Sequence, residues 1–154
     1  MPNNRFNGIL PAVVTTLDGE ERFTPGPFER LLDSFYRQDC NGVYVCGQTG
    51  EGLLQSPAQR KKVAEVAVRA SPKEKSVIVH VGAHNTRETI ELARHAASIG
   101  AAAVASLPPS GKYSFAEIRE FIPHCQRRPV SLYSCITSLK CIHRSRASTI
   151  YFSY

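Results

Sequence analysis

The 154-residue sequence lacks the features of several protein classes. It has no tryptophan, one methionine and five cysteines without a C-x-x-C pair, and this odd number argues against a disulfide framework. No apolar run approaches the roughly 20 residues that span a bilayer. The first five residues also lack the apolar stretch of a secretory signal. We therefore expect a cytoplasmic protein with no membrane partner.

Acidic residues are absent from residues 121–154, although the chain contains 13. The same stretch carries five basic residues, which supply most of the net charge of +6. A basic segment can bind nucleic acid, but these residues are scattered and not clustered on one helical face. We therefore expect no nucleic-acid partner.

Metal-binding motifs are also scarce. His80 and His84 have an H-x3-H spacing that suits zinc, but no third and fourth ligand converge on them in the sequence. This favours ordinary hydrogen-bonded histidines. Cys46 lies in an apolar run and is expected to behave as a small buried hydrophobic residue. The sequence predicts neither a metal site nor a cofactor.

Strand and helix signals alternate along most of the chain. Apolar runs rich in β-branched residues predict strands at residues 9–17, 43–46, 77–81, 102–107 and 130–133. Predicted helices begin after Thr24, Ser56, Asn85 and Ser114, and the last three have Gln or Glu at the capping-box position. Near-continuous apolar strands that alternate with amphipathic helices indicate a parallel sheet with helical crossovers.

This pattern fits two architectures, an open doubly wound sheet or part of a (β/α)8 barrel. No G-x-G-x-x-G follows the first strand, which disfavours the dinucleotide-binding form of the open sheet. The alternation stops after Tyr133. We therefore predict one α/β domain over residues 6–133 and an irregular basic tail over residues 134–154.

The most informative local pattern is Gly47-Gln48-Thr49-Gly50-Glu51, directly after the predicted strand 43–46. Glycines let the backbone approach a ligand closely, backbone amides donate hydrogen bonds, and Thr49 adds a hydroxyl donor. The pattern suits a small anion. A turn of this kind can also do no more than reverse the chain.

In this position the pattern resembles the G-[ST]-T-G-E signature of the dihydrodipicolinate synthase / N-acetylneuraminate lyase family. Residues 8–16 and 77–109, including His80-Val81-Gly82-Ala83, are similar to the same family. The resemblance covers about residues 6–133. It implies the N-terminal half of a (β/α)8 TIM barrel, with about five parallel strands and four helices.

The resemblance also implies a chemistry. Members of the family are lyases and aldolases, commonly homo-oligomeric, that bind pyruvate or a related 2-oxo acid on a lysine of the sixth strand. It implies that Thr49 and the turn amides hold the substrate carboxylate, with Gln48 beside them, and that Tyr133 is a catalytic tyrosine. Gln48 replaces the family's usual hydroxyl residue, and an amide cannot relay a proton as a hydroxyl does.

The family's lysine falls beyond the end of this chain at residue 154. We therefore expect a truncated chain, inactive alone, from a family with Schiff-base lyase activity on pyruvate-type substrates. The alternative is a non-catalytic fragment or small-anion binder. Half of a barrel is also expected to leave an apolar face uncovered, formed by Val43, Val45, Val77, Val79 and Val81.

Overall fold

The computed structural model describes residues 6–107 and the backbone of residues 132–135. The strands are β1 (Gly42–Val45), β2 (Ser76–His80), β3 (Ala103–Ser106) and β4 (Leu132–Cys135). They form one sheet in the order β1-β2-β3-β4, and each neighbouring pair is parallel. The helices are α1 (Pro25–Arg37), α2 (Pro57–Ala70) and α3 (Thr86–Ser98), with a 3₁₀ turn over Gly52–Leu54.

The strand order distinguishes the two architectures. A doubly wound sheet reverses its order and carries helices on both faces. Here the order follows the chain without reversal, and α2 packs between α1 and α3 in one layer on one face. This arrangement is that of a barrel, and the predicted α/β partial-barrel class is confirmed. The fourth predicted helix, after Ser114, lies outside the described residues.

The first predicted strand, residues 9–17, is shorter than expected. The amide of Tyr44 donates to the carbonyl of Pro11, and the amide of Val13 donates to the carbonyl of Tyr44, both at 2.9 Å. These bonds make one parallel bridge to β1. Leu17 then pairs antiparallel with Phe23, so the end of this segment belongs to a hairpin. Within the described residues, the sheet has four strands and this short bordering segment, where five full strands were predicted.

The helix starts predicted after Thr24, Ser56 and Asn85 are correct, although the capping box at Ser56 is incomplete. Ser56 accepts a hydrogen bond from the amide of Gln59 at 3.2 Å, and Asn85 caps α3 in the same way. The side chain of Gln59 does not return to Ser56. It accepts from the amide of Phe23 and donates to the carbonyl of Glu21. Gln59 therefore attaches the start of α2 to the hairpin.

The two faces of the sheet have different cores, because side chains alternate along a strand. On one face, the strand valines pack with Phe28 and Leu32 of α1 and with apolar residues of α2 and α3. The other face carries a smaller cluster around Ile78, with Tyr44 packed against it. The prediction of an uncovered apolar face is wrong, because the helices cover it. Its five valines are each at most 4% exposed: Val43, Val45, Val77, Val79 and Val81.

Among residues 6–107, none of the helices combines the length and the apolarity that a membrane crossing requires.

Candidate anion site at the carboxyl edge of the sheet

The turn of residues 47–51 lies where β1 ends, at the carboxyl edge of the sheet. Two backbone hydrogen bonds of 3.0 Å close it, from Glu51 to the carbonyl of Gln48 and from Gly52 to the carbonyl of Gly47. Cys46 and Glu51, at φ 58° and 54°, have left-handed backbone conformations. Such conformations cost non-glycine residues about 1 kcal/mol or more and cluster at functional sites.

Gly50 anchors the turn to the rest of the fold. Its carbonyl accepts a hydrogen bond from Thr15 Oγ1 at 2.7 Å and another from Gln55 Nε2 at 2.6 Å. A Cβ atom at Gly50 would lie 2.9 Å from the carbonyl oxygen of Val13. The glycine is therefore needed for close backbone approach, and its carbonyl is fixed from two sides.

Gln48 and Thr49, the two predicted substrate-binding residues, are both exposed at the crest of this turn. Within residues 6–107, the N–H groups of Gln48, Thr49 and Gly50 donate to no other group, and the Thr49 hydroxyl has no partner. The turn thus presents four adjacent hydrogen-bond donors. Its backbone is fixed by the hydrogen bonds that Thr15 and Gln55 donate to the carbonyl of Gly50. Such an arrangement can bind a carboxylate.

Tyr133, the predicted catalytic residue, lies within β4, and its side chain is outside the described part of the structure. β4 runs from Leu132 to Cys135, two residues later than the predicted strand 130–133. Leu132 pairs with Val104 and Cys135 with Ser106. β2 and β3 separate β4 from β1, so the turn and Tyr133 belong to opposite ends of the strand order.

A cluster of buried polar side chains lies beside the turn. Gln55, Arg60, His80 and Ser106 are 9%, 2%, 4% and 3% exposed. Gln55, Arg60 and Thr15 were not among the site residues predicted from the sequence. A signal for Arg60 was present, because it occupies the apolar spacing of α2 with Val63, Ala64 and Ala67.

Arg60 connects α2 to the ends of β1 and β2. Its Nη2 donates to the carbonyl of His80 at 2.8 Å, and its own carbonyl accepts from Cys46 Sγ at 3.7 Å. Its Nε is buried without a partner in the described part of the chain. Burial lowers the pKa of Arg60 and raises the pKa of Cys46 to about 11, so the thiol is protonated at neutral pH. The predicted behaviour of Cys46 as a buried hydrophobic residue is confirmed.

His80 is a buried, neutral histidine. Its Nε2 accepts a hydrogen bond from the amide of Leu107 at 3.4 Å. Burial, assisted by the nearby Arg60 cation, lowers the pKa of His80 to about 4. This agrees with the prediction of a hydrogen-bonded histidine, and His84 is exposed. Within the described ranges, no group of three potential metal ligands converges.

Parallel strands in sequential order, helices on one face and a donor-rich turn at the carboxyl edge define a barrel-type α/β protein with a candidate anion site. The chain matches the dihydrodipicolinate synthetase family over residues 5–135. It belongs to this family, as its sequence motifs indicated.

The curated relatives that are similar to this chain include N-acetylneuraminate lyases and 4-hydroxy-tetrahydrodipicolinate synthases. An N-acetylneuraminate lyase of Mediterraneibacter gnavus is 36% identical over 105 residues, which cover 68% of this chain and 33% of the relative. A 4-hydroxy-tetrahydrodipicolinate synthase of Methanothrix thermoacetophila is 35% identical over 104 residues, covering 68% and 35%. The chain therefore spans about a third of the length of these curated relatives.

Solved structures agree with the fold. The sialic acid aldolase of Ruminococcus gnavus has a TM-score of 0.76 and 31% identity, covering 80% of this chain and 42% of that one. A prophage protein of the dihydrodipicolinic acid synthase family from E. coli, in complex with pyruvate, has a TM-score of 0.78 and 27% identity, covering 83% and 43%.

Proposed function

We propose that this chain carries the carboxylate-binding part of a lyase or aldolase that acts on pyruvate or a related 2-oxo acid. The observation that carries the proposal is the set of four hydrogen-bond donors on the 47–51 turn. Thr15 and Gln55 fix this turn by donating hydrogen bonds to the carbonyl of Gly50. The names of the relatives and the pyruvate bound in the E. coli protein support it. The reaction is that of a full-length family member, with a substrate ketone joined to a lysine as a Schiff base.

In this proposal the Thr49 hydroxyl and the turn amides donate to the substrate carboxylate. Gln48 adds an amide that donates and accepts hydrogen bonds but does not shuttle a proton. Tyr133 on β4 is the tyrosine that transfers protons near the lysine. The reaction needs no cofactor, and a cytoplasmic homo-oligomer is the proposed full-length form, without a nucleic-acid or membrane partner.

A second candidate function is a non-catalytic small-anion binder, and the positions of the described lysines favour it for this chain alone. Of the four lysines within residues 6–107, none lies on a strand. Lys61 on α2 pairs with Glu91 on α3 at 2.5 Å, and Lys75 pairs with Asp39 at 3.5 Å. A lysine whose amine is engaged by a carboxylate is a poor nucleophile for a ketone.

Pyruvate titration of the 154-residue chain, followed by NMR, tests the carboxylate site. Thr49→Val keeps the shape of the side chain and removes its hydroxyl. One hydrogen bond to a charged group contributes about 1.5–3 kcal/mol, so the dissociation constant should rise about tenfold or more. Thr86→Val, the same change at the first residue of α3, is the matched control and should leave binding unaltered. Equal affinity of Thr49→Val and the unsubstituted chain would refute the role of the turn.

Borohydride reduction in the presence of pyruvate separates the two candidate functions. A Schiff base is reduced to a stable secondary amine, which mass spectrometry detects. Binding without an adduct on this chain is expected for the anion binder. A lysine adduct would instead show that the chain forms the Schiff base itself.

A further inference from the structure

We propose that His80 is a positioning residue that fixes Leu107, where the chain leaves β3, relative to the end of β1 that leads into the 47–51 turn. The inference rests on the proposed function of that turn as the carboxylate site. His80 does not touch the substrate in this proposal. It acts by fixing two elements of the carboxyl edge relative to each other.

The imidazole of His80 meets both neighbouring strand ends. His80 is the last residue of β2, which lies between β1 and β3. On one side, its Nε2 accepts from the amide of Leu107, the first residue after β3. On the other side, its ring lies 6.3 Å from the ring of Tyr44. The Tyr44 ring in turn packs against Gly47, the first residue of the turn, where a Cβ atom would collide with it. The His80 ring is therefore linked to both exits from the sheet.

The backbone around His80 is held firmly and leaves room for the ring. Arg60 Nη2 donates to the carbonyl of His80, and the amide of Val81 donates to the carbonyl of Ala105 at 2.7 Å. A Cβ atom at Gly82 would lie 2.9 Å from His80 Cε1 and 3.1 Å from Ser106 Oγ. Glycine at this position therefore keeps open the space that the imidazole occupies.

The hydrogen bond from Leu107 also fixes the protonation of the ring. Because Nε2 accepts, the single proton of the neutral imidazole is on Nδ1. Nδ1 is buried and has no hydrogen-bond partner in the described part of the chain. The Arg60 cation, from α2, disfavours a second proton. Leaving a buried donor unpaired is unfavourable, so packing alone does not account for a histidine here.

A hydrogen-exchange experiment without ligand tests the proposal directly. His80→Leu removes the acceptor for Leu107, whereas His80→Gln retains an acceptor. The control is Ile78→Val, which removes one methyl group from the same strand and changes no hydrogen bond. In His80→Leu, exchange at Leu107 and at Gly52, whose amide closes the turn, should accelerate about three- to tenfold beyond the change seen in core amides. His80→Gln should restore most of the protection, and Ile78→Val should accelerate Leu107 and Gly52 no more than it accelerates the core amides.

Pyruvate affinity is the second measurement, and it is made under conditions in which every variant is folded. His80→Leu should weaken binding several-fold with Thr49 intact, and Ile78→Val should leave binding unchanged. If Leu107 and Gly52 exchange no faster in His80→Leu than core amides do, His80 is only a packing residue and the proposal is wrong. If those amides respond and the unsubstituted chain does not bind pyruvate, the positioning role stands and the proposed function fails.

Discussion

On the helix-covered face of the sheet, the buried side chains are apolar and tightly packed. Phe28, Leu32 and Val43 are all 0% exposed. At the carboxyl edge, Gln55 and Arg60 are buried as well, but they are polar. Together with His80, each has one side-chain atom without a partner within the described residues: Gln55 Oε1, Arg60 Nε and His80 Nδ1.

The contrast shows where this fold is optimised for stability and where it is not. Packed apolar surface stabilises the folded state by about 25 cal/mol per Å². The unpaired buried groups oppose folding, as do the left-handed Cys46 and Glu51, and all of these lie at one edge of the sheet. Two further left-handed residues, Glu21 and Asp39, lie in the connecting turns before and after α1. Local rules are typically broken at functional sites, which the rest of the structure stabilises. This pattern makes the carboxyl edge the place to expect function.

The largest effect is expected on the helix-covered face. Leu32→Ala removes a fully buried side chain from α1 and should lower the free energy of unfolding by about 2–5 kcal/mol. Denaturant titration measures this loss. Because Leu32 has no part in the proposed anion site, the folded fraction should bind pyruvate with unchanged affinity. A weaker affinity would mean that the two regions are coupled.

A somewhat smaller loss is expected for Gly52→Ala at the carboxyl edge. The new Cβ atom would lie 1.9 Å from the carbonyl oxygen of Cys46, so the backbone of the turn must move. We expect a loss of about 2–4 kcal/mol in unfolding free energy, accompanied by loss of pyruvate binding. Gly19→Ala is the control, since no atom lies within 4 Å of its Cβ position, and it should stay within about 0.5 kcal/mol. If Gly52→Ala still binds pyruvate, binding does not depend on a rigid turn, and this prediction is wrong.

The smallest effect concerns pH and His80. Its pKa is about 4 in the folded chain and 6.5 when unperturbed, so between these values the unfolded chain binds more protons. Stability should therefore fall as the pH is lowered from 6.5 towards 4, by about 1–2 kcal/mol between pH 6.5 and 5. Arg22 and Lys61 lower the pKa values of Asp18 and Glu91. Protonation of these two carboxylates should therefore reduce the stability further at pH values below 5. Unfolding titrations of the unsubstituted chain and His80→Gln should differ in this slope, and identical slopes would contradict a buried neutral His80.

Features set by neighbouring residues were predictable from the sequence. The caps at Ser56 and Asn85 and the position of the 47–51 turn depend on a few adjacent residues, and the structure has them in the expected places. The contacts of Gln59 were not predictable in this way. Its side chain binds a hairpin 36 and 38 residues earlier in the chain, so its capping-box spacing was misleading.

The candidate site was predictable only in part. Gln48 and Thr49 could be named because their turn has a recognisable pattern. Thr15 lies 35 residues from the carbonyl that it binds, and Arg60 lies 20 residues from His80. The sequence predicted an apolar face formed by the strand valines, but not that the helices cover this face. That assignment depends on how the crossovers pack.

By itself, the sequence determined the alternating strands and helices, the helix starts and the donor-rich turn, because each depends on local conformational preferences and spacing. The tertiary structure decided the sequential strand order, the single helical layer and the buried cluster of Gln55, Arg60 and His80 behind the turn. Those features depend on contacts between distant residues. Burial changes their energetics as well, because only in the folded interior does the pKa of His80 fall to about 4.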